Sequence, residues 1–574
     1  MDNGPLKVDT IMKTRIQNIV IRTFVLGTLA FCALSCDLDY YPSDEQSTDI
    51  IIRDANAMII DGCYSLLKDE VEYLGYPSGN TYCRHYFQMA EFPADNICLS
   101  GRSTDPLFQA TTYTMTDNLQ NVGTLWMLGY KIIYMANTLI ETLDETKADD
   151  RQILGEAYFI RAMMHLNLVT LYAKPYSYGR TELGIPLDTV SLVTAIKRNP
   201  VGEVYDQIVL DLCKAASLMG ASRGNAGYPS RDAALGLLSR VYLYMQQYDD
   251  CIAIVTEMLG GADPATKLDA NLANYFANAK NSDETLFCIA HEVNEDRGQS
   301  SIGSMYNKDG GGWGEIYPSD PLLNLYERYP MDVRYAAFIH PQYNKGEAPA
   351  ATYNVYIPNG NAGSTEKRDV KIMAVTDDGT GTYSFVEGGV TYTIENRLVQ
   401  GEYIEHHLDY HGEDLLIRIL PSNIETRNSY PKYYVTKFGY QDGVPTLSSP
   451  VCCRWAEVLL NAAEAYARTG DETNALNLVN IIRTRAGIPA AGLFVAGNMH
   501  GYADAVDVVM DERRLELAFE GHRMFDVYRN KRDMDRRFPG VQAWEQVSYT
   551  EPHIQYPIPN SEWTVSGIEQ NPDY

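Results

Sequence analysis

The chain has 574 residues, enough for a sizeable core, and its 75 acidic side chains outnumber 47 basic ones for a net charge of −28. That charge repels phosphate backbones and anionic lipid, which argues against a nucleic-acid partner. Tyrosine is abundant, 42 residues against 15 Phe and 5 Trp, and its flat apolar face with a polar tip suits wet surfaces and sugar rings.

Residues 1–35 read as an export signal, because Lys13, Arg15 and Arg22 precede an apolar run too short to span a bilayer. The run ends in Ala33-Leu34-Ser35-Cys36, similar to a bacterial lipobox with its leucine one position closer to the cysteine. Cys36 is therefore the expected lipidation site and mature N-terminus, held to the membrane by acyl chains rather than by a spanning helix. Residues 36–48 are acidic and turn-rich, a tether, and 49–574 form one body. No later segment has the unbroken apolar length of a membrane span.

Helical rhythm over 55–67 gives way at 73–118 to a stretch crowded with Tyr, Gly, Pro and Asn, too long and too aromatic for an idle loop. Within it Tyr73, Tyr76, Tyr82, Arg84 and Tyr86 combine stacking rings with donors for hydroxyls. Helical periodicity returns over 125–143, 151–171, 201–219 and 233–259. The segment starting at Leu237 aligns without gaps to one starting at Leu459, with Tyr244 on Tyr466 and Ala253 on Ala475. Each copy predicts a helix, a tight turn and a second helix, similar to the tetratricopeptide pattern. Between the copies, 289–441 is poor in helical rhythm, and alternating pieces at 382–386 and 390–394 predict a hairpin around Gly388-Gly389. A helical scaffold is thus expected over about 125–288 and 445–535, carrying an irregular, partly β insert at about 289–441.

The chain has no glycine-rich phosphate loop, no HExxH, no GxSxG and no paired-carboxylate signature, so no catalytic residue is expected. His406, His407 and His411, with Asp409 and Glu413, read as a solvated polar loop, so neither a metal site nor a cofactor is expected and structural calcium is left open. Eight cysteines beyond Cys32 and Cys36 show no CxxC spacing, and export would permit a disulfide, with Cys83 and Cys98 the nearest pair. Binding has more support. Trp313 lies in Gly310-Gly311-Gly312-Trp313-Gly314 with Tyr306 and Tyr317 nearby, an indole on a backbone with few side chains to bury it. The other tryptophans, Trp126, Trp455, Trp544 and Trp563, fall in regular or framework segments and are expected to pack in the core.

Several strings in order resemble the SusD/RagB family of outer-membrane lipoproteins. They include Gly155-Glu156-Ala157-Tyr158-Phe159-Ile160-Arg161-Ala162, Lys174-Pro175-Tyr176, and Arg454-Trp455-Ala456-Glu457-Val458-Leu459-Leu460 running into Gly470-Asp471. The most specific are Glu512-Arg513-Arg514-Leu515-Glu516-Leu517 and Phe519-Glu520-Gly521-His522-Arg523, and the chain ends in Pro557-Ile558-Pro559 and Gln570-Asn571-Pro572. The family's usual asparagine between those last two strings is replaced by Val565-Ser566-Gly567, which marks a divergent member.

The resemblance implies a mainly α fold of four tetratricopeptide-like helix pairs with an irregular ligand-facing half. It also implies a lipid-anchored outer-membrane protein on the cell surface that binds a glycan for a SusC-like TonB-dependent transporter. A receptor for peptide or another nutrient is the alternative within the same fold, and a surface polysaccharide hydrolase the rival from another class. Ligand residues vary between family members, so none is carried over. Arg513, Glu516, Glu520 and Arg523 are expected to lie on one helical face as buried ion pairs.

Overall fold

A computed structural model describes residues 55–574 apart from 69, 74–75, 79–81, 102–107, 193–195 and 400–402. The expected signal, the tether and Cys36 lie outside the described residues.

The scaffold is a run of antiparallel helices: α1 (Gln120–Thr142), α2 (Ala148–Tyr172), α3 (Val201–Leu218), α4 (Arg231–Tyr244) and α5 (Tyr248–Leu259) before the insert. After it come α6 (Trp455–Arg468), α7 (Glu472–Arg485), α8 (Ala505–Glu516) and α9 (Arg523–Arg529). Each of α1 to α7 packs on the next, and α8 lies across α6 and α7. Side chains at three- and four-residue spacing drive this stacking, as in α1, where Leu125, Leu128, Ile132, Ala136 and Leu139 are all buried. Local chemistry sets the ends: Ser230, Asp471 and Asp504 accept hydrogen bonds from backbone N–H groups in the first turns of α4, α7 and α8. Gly260, at φ +56°, ends α5 in the left-handed region.

The α4–α5 and α6–α7 hairpins are structural copies, but their register differs by two residues from the best match of side chains. In the turns, Gln247 N–H donates to Tyr242 O at 2.8 Å and Asp471 N–H to Tyr466 O at 2.9 Å. Gln246 and Gly470 occupy equivalent left-handed positions, at φ +59° and +85°. Leu235, not Leu237, is therefore the counterpart of Leu459, and Tyr242, not Tyr244, that of Tyr466.

The insert is closed at its root by a two-stranded ladder in which Thr285–Cys288 pairs with Val451–Arg454. Beyond it the chain builds a sheet from β1 (Tyr353–Asn359), β2 (Asp369–Asp377), β3 (Tyr383–Glu387), β4 (Val390–Thr393), β5 (Glu395–Val399), β6 (Tyr403–Tyr410) and β7 (Glu413–Pro421). All pairs are antiparallel, in the order β4-β3-β2-β1-β7-β6-β5. The two edge strands, β4 and β5, are consecutive in the chain and separated only by Ile394. Residues 390–399 thus pair with β3 through their first half and with β6 through their second, which closes the sheet into a small barrel. Ile394, 1 % exposed, points inward at the bend and joins Val355, Ile357, Phe385, Leu408, Leu415 and Ile417 in a core separate from the main one. The expected hairpin forms, with Val390 opposite Glu387 and Gly388 and Gly389 at φ +59° and +81°. The outer face of the barrel docks on the body through Tyr356, Val370 and Leu420, and Arg418 bonds Asn324 and Glu327 of the helix Asp320–Glu327.

Cys83 and Cys98, the nearest pair for a disulfide, are both free: the Cys83 thiol donates to Leu67 O and the Cys98 thiol to Pro539 O. Besides the hairpin register, two expectations are corrected here. Trp563 is not core. It stands 39 % exposed on the short helix Asn560–Ser566 with its indole N–H on Asp117, whereas Trp126 and Trp455 are buried. Trp544 is half-buried beside the barrel core, with the Arg368 guanidinium 4.3 Å over its ring. Secondly, Arg513, Glu516, Glu520 and Arg523 do not share one helical face, because α8 stops at Glu516 and Phe519 turns the chain at φ +70°. They pair with other elements instead: Arg513 with Asp526, Glu516 and Glu520 with Arg454, and Arg523 with Asp95. Among the described residues no helix is long and apolar enough to cross a membrane.

Candidate functional site

Among the candidate aromatics whose side chains are described, Trp313 is the exposed one, with 47 % of its surface in water. The backbone that presents it is built by glycines. Gly310, Gly311 and Gly314 have φ of +67°, +86° and +53°, and a Cβ on Gly312 would lie 2.0 Å from Asn307 O. The turn folds back on the short helix Ile302–Tyr306, where Ser304 O accepts from Trp313 N–H at 2.6 Å and from Gly314 N–H at 3.0 Å. The indole N–H donates to Gln299 O at 3.1 Å, and the Gln299 amide returns a bond to Gly311 O at 2.9 Å. Both edges of the loop are thus tied down while much of the indole stays exposed, a rigid platform rather than a swinging side chain.

Polar groups surround that platform. Arg427 donates to Glu315 at 2.5 Å and to Trp313 O at 3.4 Å from the hairpin in which Thr426–Arg427 pairs with Tyr430–Pro431. Tyr434, half-buried, places its ring edge against Gly314. Tyr440 donates its hydroxyl to Asp309 at 2.5 Å and accepts from the Asn307 amide at 3.0 Å. Lys432 pairs with Glu425 at 2.7 Å. The Arg427 and Lys432 cations are each matched by a carboxylate, and exposed Lys308 and Asp309 add one charge of each sign, so an aromatic face is ringed by hydrogen-bonding groups whose charges balance. That combination suits an uncharged, hydroxyl-rich ligand.

The other selected residues do not join Trp313. Tyr306 and Tyr317 are buried, 3 % and 1 % exposed. Tyr306 packs against Phe438 and Phe519, and Tyr317 lies in the strand Ile316–Pro318 opposite Cys98. Tyr82 is buried, with the Asn167 amide donating to its hydroxyl, and its ring stacks on half-buried Tyr86 at 5.3 Å. From Tyr86 the contacts continue through Phe87 and Phe438 to Tyr306, so these rings form an internal spine, and Tyr82, Tyr306 and Tyr317 are withdrawn as ligand contacts. Arg84 is half-buried beside them. Tyr73 and Tyr76 face each other across a tight two-stranded ladder, and their side chains lie outside the described residues. The residues missed by sequence reasoning are Glu315, Arg427, Tyr434 and Tyr440. The string Tyr430-Pro431-Lys432-Tyr433-Tyr434 is as aromatic as the stretch at 73–86, but nothing local tells half-buried Tyr434 from buried Tyr433.

The three histidines are separated by strand alternation. His406 bonds Asn396, while His407, on the other face of β6, contacts Arg397, Glu405 and Asp414. His411 sits in the turn beyond, against Tyr410.

Antiparallel helical repeats carrying a β-bearing insert are the architecture of a SusD-type protein, and the chain belongs to the SusD family: residues 273–574 match the model described as "SusD family". Residues 48–243 match a second model, described as "Starch-binding associating with outer membrane". Among curated relatives, SusD-like protein P38 of Formosa agariphila is 23% identical over 465 residues, covering 78% of this chain and 80% of that one. SusD-like protein P25 of the same organism is 22% identical, with 96% and 98% covered. Among solved structures, a SusD superfamily protein from Bacteroides thetaiotaomicron superposes with a TM-score of 0.66 at 22% identity, covering 91% of this chain and 99% of that one. A SusD-like carbohydrate binding protein from Bacteroides vulgatus gives a TM-score of 0.62 at 17% identity, with 90% and 96% covered.

Proposed function

We propose that this protein is a cell-surface glycan receptor, anchored in the outer membrane through Cys36, that captures oligosaccharide or polysaccharide and delivers it to a SusC-like TonB-dependent transporter. The observation that carries the reading is the Trp313 platform, a fixed and half-exposed indole ringed by charge-balanced hydrogen-bonding groups. A sugar ring offers the matching surface, with axial C–H groups for the indole and hydroxyls for Arg427, Glu315 and Tyr440. Starch binding in the description of one matching family model and carbohydrate binding in the name of a structural relative support the ligand class. The protein acts as a binder, without catalysis of its own.

A glycan array with the purified protein identifies the sugar, and calorimetry then tests the platform. Trp313→Ala is expected to weaken binding by roughly 1 to 3 kcal/mol with an unchanged melting temperature. Unaltered affinity would remove Trp313 from the site, and a glycan-silent protein that binds peptides would move the reading to the peptide receptor. Cys36→Ala should release the protein from the membrane fraction, and in mild detergent the native protein should co-purify with a TonB-dependent barrel.

A further inference from the structure

A cleft of about 1010 Å³ opens in the helical scaffold, between the N-termini of α4 and α6 and the loops at 220–226, 266–267 and 280–285. None of its lining residues belongs to the Trp313 platform. The volume is at the upper end for small-molecule sites, room for several sugar rings.

Its charges nearly balance. Arg231 pairs with Glu257 at 2.5 Å and lies 3.8 Å from Asp232. Lys280 is buried and donates to Glu292 at 2.8 Å and to His291 O at 3.1 Å. That leaves Lys267 against Asp232 and exposed Asp283 at the rim, an excess of a single negative charge. Lys267 lies over the Trp455 indole with its ammonium 5.0 Å from the ring centroid, and the small uncovered parts of Trp455 and Leu286, both largely buried, contribute to the apolar lining. The rest is mostly short and polar, such as Asn225, Ser230 and Asn281. An anion meets no cation left free to offset its desolvation, and polar and apolar wall are present in similar measure. A neutral ligand bearing many hydroxyls, with one carbon-rich face, satisfies both parts of the lining.

We infer that this cleft is a second ligand site, for an uncharged oligosaccharide, independent of Trp313. A long glycan held at both places is retained more strongly than by either alone, because the second contact forms within an already tethered complex.

The test uses the full protein carrying Trp313→Ala, titrated calorimetrically with maltohexaose, cellohexaose, xylohexaose and mannohexaose. At least one is expected to bind at a single site. Adding Lys267→Ala and Asp283→Ala, both at the rim, should weaken that binding about tenfold, as loss of hydrogen bonds to charged groups does. Thr266→Trp, which fills the cleft from an exposed position, should have the same effect, so a misfolded double variant leaves the test standing. Absence of binding by all four sugars, affinity unmoved by the cleft substitutions, or tighter binding of hexagalacturonate than of every neutral sugar each overturns the inference. The Trp313 reading fails separately, if wild type and Trp313→Ala bind every sugar alike.

Discussion

The junction of scaffold and insert and the barrel within the insert use the same ion pairs to opposite effect. At the junction the charges are buried. Arg454, 1 % exposed, donates to Glu284 at 2.8 Å, Glu516 at 2.7 Å and both carboxylate oxygens of Glu520 at 2.8 and 2.9 Å. Arg334 of the insert is equally buried and reaches Asp332, Glu512 and Glu516. In the barrel, Arg397 bonds Glu395 and Asp414 at 2.7 and 2.6 Å with all three side chains well exposed. Geometry alone would rank these sites alike. Water decides otherwise: a desolvated charge must keep its partners, whereas an exposed pair exchanges them for solvent at little cost. The family strings Arg454-Trp455, Glu512-Arg513 and Glu520-Gly521 therefore record how the insert is fastened to the scaffold, not what the protein binds.

The largest effect is expected at Arg454. Arg454→Ala takes one cation from three buried carboxylates, leaving Arg485 on Glu284, Arg485 and Arg334 on Glu516 and Lys437 on Glu520, and should lower stability by roughly 3 to 5 kcal/mol, read from urea denaturation; a loss under 1 kcal/mol would show that the remaining cations or water compensate. The same carboxylates set the acid limit. Burial alone would raise Glu520, but Arg454 and Lys437 outweigh it and hold the group at about 2, against 4.5 ordinarily. Glu516 is likewise held well below its usual range, by Arg485, Arg454 and Arg334 against burial. Their contribution is fully present above pH 4.5 and is lost as pH falls toward 2, so melting temperature should drop steeply across that window. A flat profile there would place the acid limit elsewhere.

The barrel should fail by a different route, through its own core. Leu408, 1 % exposed, is packed among Ile394, Leu415 and Ile417. Leu408→Ala should cost roughly 2 to 5 kcal/mol, and hydrogen exchange should show lost protection in β1 to β7 while α4 and α6 stay protected. Equal loss in the helices would mean that barrel and scaffold unfold as one. Gly389→Ala should cost less, about 1 kcal/mol, since only the left-handed backbone at φ +81° opposes it and no atom lies within 4 Å of the added Cβ.

The same contrast explains what could be read without coordinates. Helices announce themselves by periodicity, and the Gly388-Gly389 hairpin by a local turn, so both were legible. Barrel closure was not, because it depends on residues 390–399 serving two neighbours, and alternation around Ile394 is the same whether the strand has one partner or two. The hairpin register was missed because Gln246, not glycine, takes the left-handed position that Gly470 takes in the second copy. At the site, glycines around Trp313 were a usable sign of an exposed ring. For tyrosines the side chain is identical in core and surface, and only the fold assigns Tyr306 and Tyr82 to the internal spine.

The smallest effect is expected where the ion pair is best formed on paper. Arg397 donates to Glu395 on its own strand and, across β6, to Asp414 on β7, and it also contacts His407. Its carboxylate partners are held below their ordinary range, Glu395 chiefly by hydrogen bonding from Arg397 and Asp414 by the same donor. All this occurs in water, where salt screens the attraction and side-chain ordering opposes it. Arg397→Ala should leave melting temperature unchanged within error at 0.15 M salt, and raising the salt should not move the wild type at this site either. The double variant Arg397→Ala with Asp414→Ala sharpens the point: if the pair carries no net stability, the two substitutions add without coupling. A clear coupling in that cycle would mean that the barrel wall behaves as an interior, and that the division drawn here between buried and solvated charge fails at its exposed end.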